Sequence, residues 1–205
     1  MTLFYVVRHG EATGNVDNIL MGHYDCPLTK KDREQAINVQ KKLNFISFDY
    51  VFTSDLTRAY ETAKIITSPR GMKVLKTKAL RERYCGELEG VSKDVLNKRY
   101  KKEVELLQKQ SMTKKMNHRY VATEESGREV VNRVLSFFAE VATQYPNATV
   151  LVVSHSGVIG NFLSHIDQHP YDGMFGAAKM ENGGYIKFES DGHRYDIKQI
   201  FGMQA

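Results

Sequence analysis

Two histidines in this chain follow uninterrupted apolar runs. Leu3–Val7 leads into Arg8-His9-Gly10-Glu11, and Thr149–Val153 leads into Ser154-His155-Ser156-Gly157. An arginine beside the first histidine offers a planar fork for phosphate or carboxylate. A second arginine, Arg58, stands in Ser54-Asp55-Leu56-Thr57-Arg58-Ala59, just past a further apolar run. Gly157 opens a helix whose first N–H groups suit an anion, and glycine admits close backbone approach. One histidine after a strand is most often structural, because function needs an assembled site rather than a fold position. Two such histidines, two arginines and a helix N-terminus together describe a pocket for a phosphoryl group.

The elements that must position these residues alternate. Continuous apolar runs at Leu3–Val7 and Thr149–Val153 read as buried parallel strands, with shorter strands at Tyr50–Thr53 and Lys73–Lys76. Helices are expected over Lys31–Leu43, with Thr29 and Asp32 at capping-box spacing, and over Thr57–Thr67, ended by Ser68-Pro69. A charged helix over Lys93–Lys109 places Leu96, Tyr100, Val104 and Leu107 on one face. Ser126 and Glu129 cap a helix whose apolar face is Val130, Val134, Phe137, Phe138 and Val141. A short helix over Gly157–His165 and a hairpin of Tyr185–Glu189 and Tyr195–Ile200 around Asp191-Gly192 complete the reading. Strands alternating with helices imply an α/β fold with a mostly parallel sheet. Ligands in such folds bind outside the carboxyl ends of the strands, where both histidines would stand.

The 205 residues are 41% hydrophobic and 26% charged, which excludes disorder, collagen and disulfide scaffolds. No apolar stretch approaches the roughly 18–20 residues of a membrane span, and the N-terminal run lacks the basic flank of a signal peptide. A soluble, cytoplasmic protein is expected. Cys26 and Cys85 lack metal or redox spacing and read as free thiols. Asn147-Ala148-Thr149 fits a glycosylation sequon but reads as a plain turn. From Lys93 to Tyr120 nine Lys/Arg face three Asp/Glu, an excess larger than the whole chain's net charge of +5. Such a segment suits an anionic partner or a solvated helix face.

Five ordered blocks carry a resemblance. They are Arg8-His9-Gly10-Glu11 with Asn15, the stretch from Met21-Gly22-His23 to Thr29, Ser54 to Ala63, Leu80-Arg81-Glu82-Arg83 to Gly90, and Val153 to Gly157. In order and spacing the chain resembles the histidine phosphatase superfamily, on its phosphoglycerate mutase branch. The resemblance implies a three-layer α/β/α sandwich whose six-stranded, mostly parallel sheet contains one antiparallel strand. It implies a single domain over 1–205, with a basic helical insertion at about 93–120 near the active site. It makes His9 a nucleophile that carries a phosphohistidine, its other nitrogen fixed by a local carbonyl. Arg8, Arg58 and His155 would clamp the phosphoryl oxygens. Glu82 would be the general acid and base. Asn15, Met21, Gly22, Ser156 and Gly157 would complete the substrate contacts.

The implied function is hydrolysis of a small phosphorylated metabolite. The alternatives are a phosphoglycerate mutase and a fructose-2,6-bisphosphatase-like activity. Ala12 stands where mutases usually have Ser, and Cys85 where they have Tyr; a Trp/Tyr-Arg-Arg segment has only a loose echo in Lys114-Lys115. These departures favour a phosphatase. Two positions differ from a family glycine, namely Asp32 and, before Glu125-Ser126, Glu124. No cofactor or metal is expected. His165 and His169 have ligand-pair spacing, but Pro170 ends the helix and no third ligand is evident. Neither nucleic acid nor membrane is an expected partner, and a homodimer is left open.

Overall fold

The computed structural model describes residues 1–166 and 180–203, without the side chain of Asp32. Six strands form one sheet: β1 Thr2–Arg8, β2 Tyr50–Ser54, β3 Val74–Thr77, β4 Thr149–Ser154, β5 Met180–Ser190 and β6 Tyr195–Met203. Their order is β3-β2-β4-β1-β5-β6. The first four are mutually parallel, β5 is antiparallel to β1, and β6 is antiparallel to β5. One strand therefore runs against the other five, as the resemblance implied.

The helices are α1 Thr13–Val16, α2 Lys30–Lys42, α3 Thr57–Thr67, α4 Lys93–Gln108, α5 Met112–Asn117, α6 Gly127–Gln144 and α7 Ser156–His165. The basic segment is thus two helices, and three short 3-10 turns and α1 add to the expected elements. The third strand begins one residue later than read, and the hairpin strands are longer. The Asp32 capping group and His169 with Pro170 lie outside what is described.

Alternation along the central strands makes three layers. Phe4, Val6, Val150 and Val152 point to one face and pack with Val134, Phe138 and Phe162 of α6 and α7. Tyr5, Val7, Leu151 and Val153 point to the other and pack with Val39, Ala63 and Ile66 of α2 and α3. Because side chains of a strand alternate, a strand covered on both faces must be apolar throughout. The four residues Val150–Val153 are each 0% exposed. Burial of each such side chain stabilises the fold by about 2 kcal/mol.

The helices hold themselves by local means. Ser126 Oγ accepts from Glu129 N, and the Glu129 carboxylate accepts from Ser126 N at 2.8 Å, so the expected capping box is present. The apolar face of α6 read from the sequence is buried at all five positions. On α4, Leu96, Tyr100 and Leu107 are buried; Leu96 and Tyr100 pack with Leu20, Cys85 and Leu88. That contact ties the basic segment to the stretch after Glu82. The Asn147 turn has φ 66°, and its Oδ1 accepts from the N-terminal ammonium at 3.1 Å. Both cysteines are buried free thiols. Burial pushes the Cys85 thiol up, out of reach of ionisation. Among the described residues, no helix is long and apolar enough to cross a membrane.

Candidate active site

Strand order builds the site. β4 enters between β1 and β2, so the carboxyl ends of three adjacent strands deliver His9, His155 and, in the first turn of α3, Arg58. Arg8 pairs in register with Ser154, and His9 N donates to Ser154 O at 2.9 Å. The two imidazoles meet edge to face, with centroids 5.0 Å apart. Both rings are buried, at 2% and 0% exposure.

His9 Nδ1 bonds to the Gly10 carbonyl. A carbonyl only accepts, so Nδ1 carries the proton and Nε2 keeps its lone pair. Burial, reinforced by the charges of Arg58 and Arg8, holds His9 well below its ordinary value of 6.5. Burial and Arg58 do the same to His155. Both rings are therefore neutral at physiological pH.

Arg58 is 0% exposed. It donates to Gly22 O at 2.6 Å and Tyr24 O at 3.1 Å, with the Asp25 carboxylate 3.9 Å away. Burial lowers its pKa, and the charges of Glu82 and Asp25 oppose that. Its Nε and both ring nitrogens of His155 are buried without a partner among the described residues. Buried polar atoms are almost always hydrogen-bonded, so Arg58 Nε–H and the one ring N–H of neutral His155 mark where a ligand's oxygens fit. Arg8 donates to the Met180 carbonyl at the start of β5.

Glu82 reaches the same edge from the far side. Its carboxylate accepts from Arg83 N at 2.8 Å and from Gly157 N at 3.1 Å. The N–H at the helix start that the sequence offered to an anion is thus engaged by this carboxylate. A Cβ on Gly157 would come 2.4 Å from Glu82 Oε1, so only glycine admits the approach. The Glu82 carbonyl accepts from His23 Nε2 at 2.8 Å and from Arg133 at 3.1 Å. The rival Glu89 carboxylate accepts instead from His23 N and Cys85 N, and holds loops together.

The remaining positions are close by with mixed surroundings. Asn15 Oδ1 accepts from Ala12 N at 2.9 Å. Met21 is buried with Ala12 and Cys26. Gly22 has φ 52°, and a Cβ there would meet Glu89 Oε1 at 2.2 Å. Ser156 is the first residue of α7, with His155 as its N-cap. Among the described residues, no group of three or more His, Cys, Asp or Glu could hold a metal ion.

The sequence reading missed several residues that border the site. Lys93, at the start of α4, is half-buried; burial and the charge of Arg8 lower its pKa, against Glu82. His23 lay inside a quoted block but lacked a role. Gln35, Thr62, Arg133 and Asn182 act through bonds to backbone atoms, which local spacing does not reveal.

Neutral imidazoles meeting edge to face, a buried guanidinium and a carboxylate held at the start of α7, at a switch in strand order, define an α/β protein of phosphoryl transfer. The chain belongs to the histidine phosphatase superfamily (branch 1), whose family model matches residues 4–201. It is 29% identical over 171 residues to the adenosylcobalamin/alpha-ribazole phosphatase of Escherichia coli (strain K12), covering 83% of this chain and 82% of that protein. It is 27% identical over 218 residues to a 2,3-bisphosphoglycerate-dependent phosphoglycerate mutase of Staphylococcus haemolyticus (strain JCSC1435), covering 93% and 95%. The solved structure of Bacillus stearothermophilus YhfR matches with a TM-score of 0.83 at 26% identity, over 100% of this chain and 98% of that one.

Proposed function

We propose that this chain is a phosphomonoesterase that hydrolyses a small phosphorylated metabolite through a phosphohistidine at His9. The observation that carries this reading is the buried triangle of Arg58, His9 and His155, with three polar atoms unpartnered among the described residues. In the first step the Nε2 lone pair forms a bond to phosphorus while the bond to the leaving oxygen breaks. Glu82, protonated, gives that oxygen its proton. In the second step Glu82, now a carboxylate, takes a proton from water, whose oxygen attacks phosphorus as the N–P bond breaks. Arg8 and Arg58 neutralise charge on the equatorial oxygens throughout, and neutral His155 donates a hydrogen bond to one of them from its single N–H. Asn15, Gly22 and the start of α7 at Ser156 and Gly157 border the phosphoryl group, with Met21 packing behind them. The half-buried Lys93 supports a substrate with a second anionic group, since a cation there faces the same space as Arg8. The site is expected to work in the cytoplasm on a free metabolite.

A mutase would follow the same first step and return the phosphoryl group to another hydroxyl of the substrate. Cys85 and the lack of an Arg-Arg grip favour water as acceptor. The test is a panel of phosphorylated metabolites with released phosphate and isomerised product both measured. A radiolabelled substrate should leave acid-labile label on the wild type. His9→Ala should lose label and turnover while keeping its circular dichroism. Substantial phosphate release by that variant would sink the mechanism.

A further inference from the structure

We propose that Gln35, Thr62 and Asn182 are positioning residues that fix the tautomer and aim of His9 by clamping the two peptide planes that follow it. The proposal rests on the reading of His9 as nucleophile. Among the described residues, the hydrogen bond that orients the ring runs from Nδ1 to the carbonyl of the very next residue. That residue is Gly10, the type least restrained about its backbone dihedrals. A turn of the Gly10–Glu11 plane would swing the carbonyl off Nδ1. The proton could then sit on either nitrogen, and Nε2 would no longer be held as the nucleophile.

Three side chains from three elements oppose that turn. On the first plane, Asn182 Nδ2 of β5 donates to the His9 carbonyl at 3.1 Å. On its other side the Gly10 N–H donates to Thr62 Oγ1 of α3 at 3.1 Å. The Thr62 hydroxyl in turn donates to the Arg58 carbonyl at 2.8 Å, so its proton is committed and its lone pairs face Gly10. On the second plane, the one bearing the orienting carbonyl, the Glu11 N–H donates to Gln35 Oε1 of α2 at 3.2 Å. Each peptide plane is thereby held by a side chain on a different packed element. None of the three side chains bonds to the His9 ring itself, so their effect passes through the backbone. A 1 Å misplacement of a reacting group can cost about 10²-fold in rate, which is the scale the clamp guards.

The bland reading is that these bonds only satisfy partly buried backbone groups. The two readings part in the state of one imidazole. The full chain would be labelled with ¹⁵N-histidine, and His9 resonances assigned by difference from His9→Ala. Wild type should show Nδ1 protonated and Nε2 bare. Gln35→Ala and Asn182→Ala, both at half-buried positions, should show mixed tautomers. Their phosphorylation rate constant should fall about 10- to 100-fold with KM within twofold. Thr62→Val, matched in shape but lacking the hydroxyl, should behave alike, and Thr62→Ser should restore the wild-type pattern. The proposal is overturned if Gln35→Ala and Asn182→Ala keep the wild-type ¹⁵N pattern and a rate within twofold. If Thr62→Val fails to fold, those two surface-side variants decide the matter alone. A wild type with the expected tautomer but no phosphohistidine would overturn the catalytic reading and leave the positioning claim standing.

Discussion

Glu82 is held by backbone donors on both sides of its carboxylate and through its own carbonyl, which fixes its aim; the proposed role is to give and then take one proton. Its contribution should depend on the leaving group. Glu82→Gln should slow hydrolysis of an alkyl phosphate by about 10²–10⁴-fold, the range of general acid–base catalysis. An activated aryl phosphate, whose leaving group needs no proton, should lose far less. Equal losses on both, measured by phosphate release, would assign the proton transfer elsewhere. At this scale the sequence was informative where a residue type follows a strand end, as with His9, His155 and Arg58. It was silent on Gln35 and Asn182, because a side chain that bonds to a distant backbone atom leaves no periodic trace.

Among the elements, the stretch 118–126 is fastened to the Glu82 segment by a pair no local pattern could announce. Arg83 and Glu124, 5% and 1% exposed, meet at 3.1 Å. Arg83 also donates to the carbonyls of Glu125 and His118, and Glu124 accepts from Tyr120 N. In sequence Glu124 was only a departure from a glycine; in space it neutralises a buried guanidinium. Burial pushes the Glu124 carboxyl up, against the pull of Arg83. Glu124→Ala would strand the Arg83 charge and should destabilise the fold by about 3 kcal/mol. Glu124→Gln keeps an acceptor for both donors but not the charge, so it should recover only the hydrogen-bond share of that loss, about 1 kcal/mol. Urea unfolding of the two variants separates the two contributions; a Glu124→Gln variant with the wild-type midpoint would show that charge neutralisation is not what Glu124 supplies. The helices and strands themselves were legible because their faces repeat with the periods of helix and strand. The charged helix read over Lys93–Lys109 ends at Gln108, just past the last residue of its apolar face, Leu107.

For the whole molecule, two buried neutral histidines make stability depend on pH. Both have folded pKa values depressed below 6.5. As pH falls below that value the unfolded chain takes up protons that the folded chain refuses, so stability present above it is lost. Between pH 6.5 and 5.5 the pair should remove about 2 kcal/mol, on the reference pKa of histidine for the unfolded state. Urea midpoints at pH 7.5, 6.5 and 5.5 measure it, and His155→Asn should remove about half of the slope. A flat profile in the wild type would mean that the rings titrate in the folded chain as they do in the unfolded one. The sheet's composition was readable from its apolar runs, and its single reversed strand came from the family resemblance. The bulged start of β5 that brings Met180 to Arg8 and Asn182 to His9 was not, since a bulge is set by pairing rather than by residue type.

The insertion of β4 between β1 and β2 has a consequence for the order of events in folding. The strands that flank it are made early in the chain, yet neither pairs with the other. Until Thr149–Ser154 has been synthesised, each has an unpaired edge where β4 will lie, and half of the catalytic edge does not exist. Contacts of such long sequence separation form late and slowly. β4 brings His155 and joins the two halves of the sheet, and β5 then covers the other edge of β1 and brings Asn182 to His9, so a chain that has not yet finished folding has no means of cleaving a phosphate ester. Unpaired edges of this kind are also the surfaces through which partly folded chains associate. Activity and protection from aggregation therefore arrive together, as β4 and β5 take their places on either side of β1.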